Sequence, residues 1–321
     1  MTLESSNLKT SVSKSGINAV ITLTAVLFTF LLTLFLSDKI SHSVKSGLSL
    51  CANVIIPSVF PFMVLSDLLY CFADFNSLRH AGDFFEKIFK INRVGLYPFV
   101  LGIICGFPLG VKCASELYLD GRLTKDECER LIGFSNNTGP AFLVCGIGLG
   151  LRNDIGEGFI LYLSMLCSAI LTGILFSIKR TAGIANIAPL HKKRFSITES
   201  IKTAGLNTLN ICSYLTFFAC IVGLARNFIG ENFLYLHLIS ALEVGSATSI
   251  LSKTLILTRL QSLILSSFAV SFSGFSVHLQ ALSFISKSDI SVKRYFAMKL
   301  IQGLISCALT AILYFAFFTV T

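Results

Sequence analysis

Charge is scarce in this sequence. Only 13% of its 321 residues are Asp, Glu, Lys or Arg, while 54% are hydrophobic, and the mean hydropathy is +0.77. A soluble globular protein carries about 25% charged residues, so water is not the main solvent of this chain. Catalytic signatures are missing as well. No His-Glu-x-x-His, Gly-x-Ser-x-Gly or Walker loop occurs, and the five histidines are scattered. An enzyme is not expected, and nothing calls for a cofactor or a metal. The ten cysteines include no Cys-x-x-Cys pair and lie mostly in or beside apolar stretches. They read as small, reduced hydrophobes. The 26 Lys and Arg against 17 acids form no extended basic domain, which argues against a nucleic-acid partner.

What is present is a series of long apolar runs. A bilayer core about 30 Å thick asks for roughly 20 apolar residues per helix, and Ile17–Leu36, Gly158–Ile178 and Leu300–Val320 supply them. Runs such as LCSAILTGILFSI do not alternate as barrel strands must. The fold class expected is therefore all-α, a polytopic membrane protein with about eight membrane segments, some of them broken or re-entrant. Between Lys179 and Lys202 stand Lys179, Arg180, Lys192, Lys193, Arg194 and Lys202 against the single acid Glu199, so this loop is expected to be cytoplasmic. The Arg152–Glu157 stretch, with one base and two acids, suits the other side. No small-x-small cleavage site follows Leu36, and the first span is read as retained. The organisation expected is a disordered Ser/Lys-rich tail, 1–16, and one transmembrane domain, 17–321. Its halves, 17–179 and 200–321, are joined by the basic loop 180–199.

Several apolar segments carry their own breakers. Pro57 and Pro61 interrupt IIPSVFPFMVLSDLL, each removing a helical hydrogen bond. Loose backbone survives in lipid only where protein or a wet cavity covers it. Residues 74–93 alternate Phe and Leu with charges at helical spacing, as an interfacial helix does. Val94–Val111 contains Gly102, Gly106, Pro108 and Gly110 and reads as a re-entrant half-helix with its tip near GFPLG. Cys113–Ile132 is amphipathic and expected at an interface, with Thr124 as N-cap and Glu127 three residues on. Phe134–Leu151 places small polar residues directly before an apolar run, so a helix starts there with unpartnered amides. The pattern then restarts with apolar stretches at 201–224, 233–257 and 260–275. Gly106-Phe107-Pro108-Leu109 matches Gly274-Phe275-Ser276-Val277 at an offset of about 168 residues, which suggests two repeated halves.

Polar groups embedded in apolar surroundings are candidates for a solute path. The turn Gly106, Phe107, Pro108 and Gly110 leads to Lys112, which either meets an anion beside free half-helix amides or snorkels to the interface. Glu116 is placed to pair with it. Asn136, Asn137, Thr138 and Gly139 before Pro140 form either a substrate-contacting turn or an ordinary helix cap. Glu243 has no base within one turn, as a coupling or substrate-contacting acid would not. Ser276, His278 and Gln280 follow Gly274 and complete the candidate substrate-binding set. Asn53, Asp67, Asn207 and Asn210 read as helix-to-helix hydrogen-bonding groups.

The strings GFPLGVKCASELYLDGRLTKDECERLIGFSNNTGPAFLVCGIG, SALEVGSATS and FSGFSVHLQALSFISKSDIS resemble the sporulation integral membrane proteins of the YlbJ type, grouped with the nucleoside-recognition "gate" domain family. The likeness runs over roughly residues 45–320 and is most specific at the two turns. Phe107 and Val111 depart from that family's usual Gly-Tyr-Pro-x-Gly-Ala-Lys, and Val244-Gly245-Ser246 from its Thr-Asn-Gly. The resemblance implies a transporter of dipicolinic acid across the outer forespore membrane of an endospore-forming bacterium. A nucleoside carrier and a non-transporting spore-membrane assembly protein are the alternatives. The partners expected are a small anionic solute and membrane lipid, with association into a homo-oligomer left open.

Overall fold

The computed structural model describes residues 19–71 apart from 21 and 25, then 79–178, 180, 195–286 and 288–318. The tail 1–16 and most of the basic loop 180–199 lie outside the described residues. Those described form helices throughout, with no strand among them. Helix α1 (Thr22–Phe35) turns by 90° into α2 (Ser37–Leu50), which passes through a π-helical turn, Cys51–Ile55, into α3 (Ile56–Cys71). The π turn sits directly before Pro57. A proline cannot donate to the carbonyl four residues back and crowds it, and the wider turn makes room without ending the helix. Pro61 lies inside α3.

Next come α4 (Arg79–Phe89), α5 (Leu96–Ile104), α6 (Leu109–Leu119), α7 (Lys125–Ser135), a π-helical segment Ala141–Leu151, and α8 (Ile155–Leu175). After the basic loop follow α9 (Ile197–Ile229), α10 (Phe233–Leu242), α11 (Val244–Leu251), α12 (Arg259–Phe272), α13 (Gly274–Ile285) and α14 (Val292–Phe318). Among the described residues four stretches are long and apolar enough to cross a membrane: Ile155–Leu175, Ile197–Ile229, Arg259–Ile285 and Val292–Phe317. The bent pair Thr22–Phe35 and Ser37–Ile55 raises this to five. The count is below the eight read from the sequence because the remaining apolar stretches are broken into pieces shorter than a bilayer is thick.

Two charged clusters mark opposite ends of the bundle. At one end Arg130 donates to the carbonyls of Phe89 (2.6 Å) and Lys90 (2.7 Å) and to Asp126 (2.9 Å). Asp126 also accepts from Arg294 at 2.7 Å, and Tyr118 and Lys125 both donate to Asp289 at 2.6 and 2.8 Å. Those two hydrogen bonds, Lys125 first, hold the exposed Asp289 carboxyl below its usual range. At the other end Arg259 pairs with Asp154 and Glu157, and Arg152 with Glu157. Ser262 donates to the Leu251 carbonyl at 2.5 Å. The outer ends of α5 and α6 lie together at the first end, since Asn92 N donates to Glu127 and Tyr118 to Asp289. They form a hairpin whose tip, Cys105–Pro108, points inward. In α10 and α11 the tip is Glu243, and the hairpin enters from the second end.

Three expectations need correction. Thr124 and Glu127 do form a capping box, but α7 is not interfacial: Glu127, Cys128, Glu129, Arg130, Leu131 and Ile132 are all buried, because Arg130 and Glu127 find their partners inside. Asn53 bonds within its own helix, to Ser49. Asp67 does join two helices, accepting from Ser200 at 2.6 Å. The alignment of Gly106 with Gly274 equates unlike parts, a hairpin tip and the break between α12 and α13. A second capping box, Thr258 with Gln261, opens α12 as Thr124 with Glu127 opens α7.

Candidate functional site

Four interruptions meet in the middle of the bundle. Gly106, with φ +80°, lies so close to the other turn that a Cβ there would stand 2.6 Å from Gly139 N. Only glycine fits both the backbone and the gap. The break between α12 and α13 is left-handed twice over, Ser273 at φ +77° and Gly274 at +59°. A Cβ on Gly274 would meet the Leu242 carbonyl at 3.2 Å and Glu243 N at 3.3 Å. Each hairpin tip thus seats on the neighbouring break. The turn after α7 is tied to α12 across the centre by Thr138, whose hydroxyl donates to the Val270 carbonyl at 2.9 Å.

These tips enclose a cavity of about 40 Å³. Of the residues singled out in the sequence, Gly106, Phe107, Thr138, Gly139, Glu243, Ser276 and Gln280 line it. Helix starts face it on several sides, and the first amides of a helix have no internal acceptor. Glu243 uses one such start: its carboxylate accepts from Gly245 N at 2.8 Å and from Ser246 N, capping α11. Gln280 presents an Oε1 with no partner among the described residues. No Lys, Arg or His is among the lining residues.

The other candidates lie elsewhere. Lys112 is half-buried on α6 and lines no part of the cavity, because α6 runs outward from the tip and carries it away. Gly110 is a packing residue, its Cα pressed against the Ser135 carbonyl. Pro108 and Pro140 precede the starts of α6 and the π-helical segment outside the lining, and Gly274 serves the break. Asn136, Asn137 and His278 are fully buried and turn away from the cavity toward α14.

That helix holds what sequence reasoning missed. Tyr295, Lys299, Gln302, Ser306 and Thr310 are all fully buried and fall on one helical face. Tyr295 Oη accepts from Asn136 Nδ2 at 2.7 Å and contacts His278 Nδ1 at 3.0 Å. Lys299 donates to the Asn136 carbonyl at 2.7 Å and to Gln302 at 2.8 Å, and Gln302 donates to Asn137 Oδ1 at 2.8 Å. Lower down, Ser306 bonds Ser267 and Ser271, and Thr310 bonds Ser267. This stripe clamps the Asn136-Asn137 turn from behind. A polar residue every three or four positions through an apolar helix was the readable signal.

No family model matches the chain, and no solved structure matches it. Among curated proteins it is 26% identical over 322 aligned positions, covering 86% of this chain and 78% of the relative, to "Sporulation integral membrane protein YlbJ" of Bacillus subtilis (strain 168). The apolar helices agree with an integral membrane protein. The chain is thus similar, over most of its length, to a sporulation integral membrane protein.

Proposed function

We propose that the chain is a carrier that moves a small polar solute, preferentially an anion, across a membrane, loading it where the four helix breaks meet. The convergence of two hairpin tips and two interrupted helices on one buried cavity is the observation that carries this reading. Unwound backbone is costly in a bilayer unless it lines a site, and helix starts favour negative charge. Glu243 illustrates the point, since a carboxylate already occupies one of those starts. Hairpins entering from opposite ends, each followed by a broken helix and a spanning one, support two halves of inverted orientation. The cavity, at about 40 Å³, has room for a water or two but not for a solute, because ligand sites measure about 300 Å³ or more. The hairpin tips therefore part during loading. Dipicolinic acid, crossing the outer forespore membrane, is the solute that the YlbJ-type resemblance favours, and no cofactor is needed.

One observation favours a second reading. The cavity has hydrogen-bonding groups on Thr138, Ser276 and Gln280 but no cationic side chain among the described residues, which suits an uncharged solute such as a nucleoside. Uptake into vesicles containing the purified protein separates the two. Labelled dipicolinate should accumulate above protein-free vesicles, excess nucleoside should not compete, and Gln280→Leu should abolish the signal. Competition by nucleoside would favour the second reading. Folded protein that passes neither solute would leave the chain as an assembly protein and end the carrier proposal.

A further inference from the structure

A second and larger cavity lies beside the first. It measures about 920 Å³ between α2, α9 and the α10–α11 hairpin, within the range of small-molecule sites. Its lining includes Lys39, His42, Arg226 and Lys253, with Glu231 as the acid among them. Arg226 pairs with Glu231. Lys39 and Lys253 are exposed and have no carboxylate partner among the described residues, so the cleft carries an excess of positive charge. It opens at the end of the bundle marked by Arg259 and Asp154, where α9 and α11 finish.

The wall between the two cavities is thin. Gly245 lines the central cavity and Leu50 lines the cleft, and a Cβ on Gly245 would stand 2.9 Å from Leu50 Cδ2 and 3.0 Å from Leu215 Cδ1. Ser246 belongs to both sides. Its amide caps Glu243, which lines the centre, while the residue itself lines the cleft. A leucine side chain turning about its own bonds would join the two spaces, and the parting of the hairpin tips would then make room for a solute.

We propose that the cleft is a binding site for small soluble dianions and the antechamber of the central cavity, with Leu50 as the partition. The inference rests on the carrier reading for its purpose, though not for its test. A cleft lined by one sign of charge concentrates the opposite ion and speeds its capture, which the central cavity, without a cationic side chain, cannot do for itself. Lys39 and Lys253 supply the charge, and Leu50 decides when the solute passes inward.

The test uses the full chain in nanodiscs of zwitterionic lipid, with dipicolinate as the probe, in a Gln280→Leu background that silences the central cavity. Equilibrium dialysis should show binding that Lys39→Gln with Lys253→Gln weakens on the order of tenfold and that Lys39→Arg with Lys253→Arg preserves. Added salt should weaken the binding of the charged forms only. Equal binding by the Gln and Arg pairs, or none by the parent, overturns the site. Binding to the cleft in a protein whose wild type shows no vesicle uptake would retain the site and refute the carrier reading instead. Leu50→Ala should raise uptake severalfold; an unaltered rate removes Leu50 from its role as partition.

Discussion

Gly110 distinguishes a packing role from a binding role. The Ser135 carbonyl at the end of α7 is wedged between Gly102 of α5 and Gly110 of α6. A Cβ on Gly102 would lie 1.8 Å from that oxygen and one on Gly110 2.2 Å from it. An ordinary carbon-to-oxygen approach is about 3.3 Å, so Gly110→Ala asks for roughly 1.1 Å of movement and Gly102→Ala for roughly 1.5 Å. Neither obstacle is a flexible side chain; both are backbone at a helix end. Overpacking of a tight interior costs about 1–3 kcal/mol, and a backbone clash of this size belongs at the top of that range. Because both substitutions displace the same oxygen, the double variant should lose less than the sum of the two. Thermal unfolding of the purified protein in detergent, followed by size-exclusion fluorescence, measures each. A Gly110→Ala protein as stable as wild type that binds solute poorly would refute the packing account and return Gly110 to the binding surface.

Three other perturbations test separate parts. Tyr295→Phe removes the hydroxyl shared by Asn136 and His278, leaving buried polar groups unpaired at a cost of about 2 kcal/mol; denaturant-unfolding stability unchanged from wild type would show that Tyr295 does not hold the turn. Glu243→Ala uncaps α11 and exposes two amides to the central cavity, for about 1 kcal/mol of lost stability; added acetate should restore part of it, and no response to acetate would mean that the site does not accept a free carboxylate. Asp289 has a folded-state pKa below its unfolded value, so its contribution is complete above the ordinary aspartate range and fades as pH falls through the lowered value. Wild type should therefore out-melt Asp289→Asn at neutral pH by a small margin that vanishes in acid, and a margin that grows in acid would reverse the sign of the argument.

Much of the backbone logic was legible before any coordinates. Gly106, Pro108 and the Asn136–Pro140 turn announce broken helices because glycine and proline act locally, through φ and the missing N–H. The Thr124–Glu127 cap is likewise a matter of four consecutive residues. What failed was whatever depends on a distant partner. The burial of Arg130 is one example, since nothing near it in sequence shows that the Phe89 and Lys90 carbonyls will be waiting. Lys112 stayed open between an anion's partner and a snorkelling lysine, because position after a break says nothing about which way the helix leaves.

Lys299 shows how these two kinds of information combine. Within the apolar run of α14 it is the residue that costs most to bury, and alone it could be a snorkelling lysine. Its companions at Tyr295, Gln302, Ser306 and Thr310 place five polar groups along one stripe, and a stripe facing lipid would leave every one of them unpaired. The stripe must therefore face protein, and the protein it faces must offer matching polar groups at mid-depth. Among the described residues that requirement is met by the unwound Asn136–Asn137 backbone and by the serines of α12. The break in one half and the polar face in the other are thus two sides of the same interaction, and neither is stable in a bilayer without its counterpart.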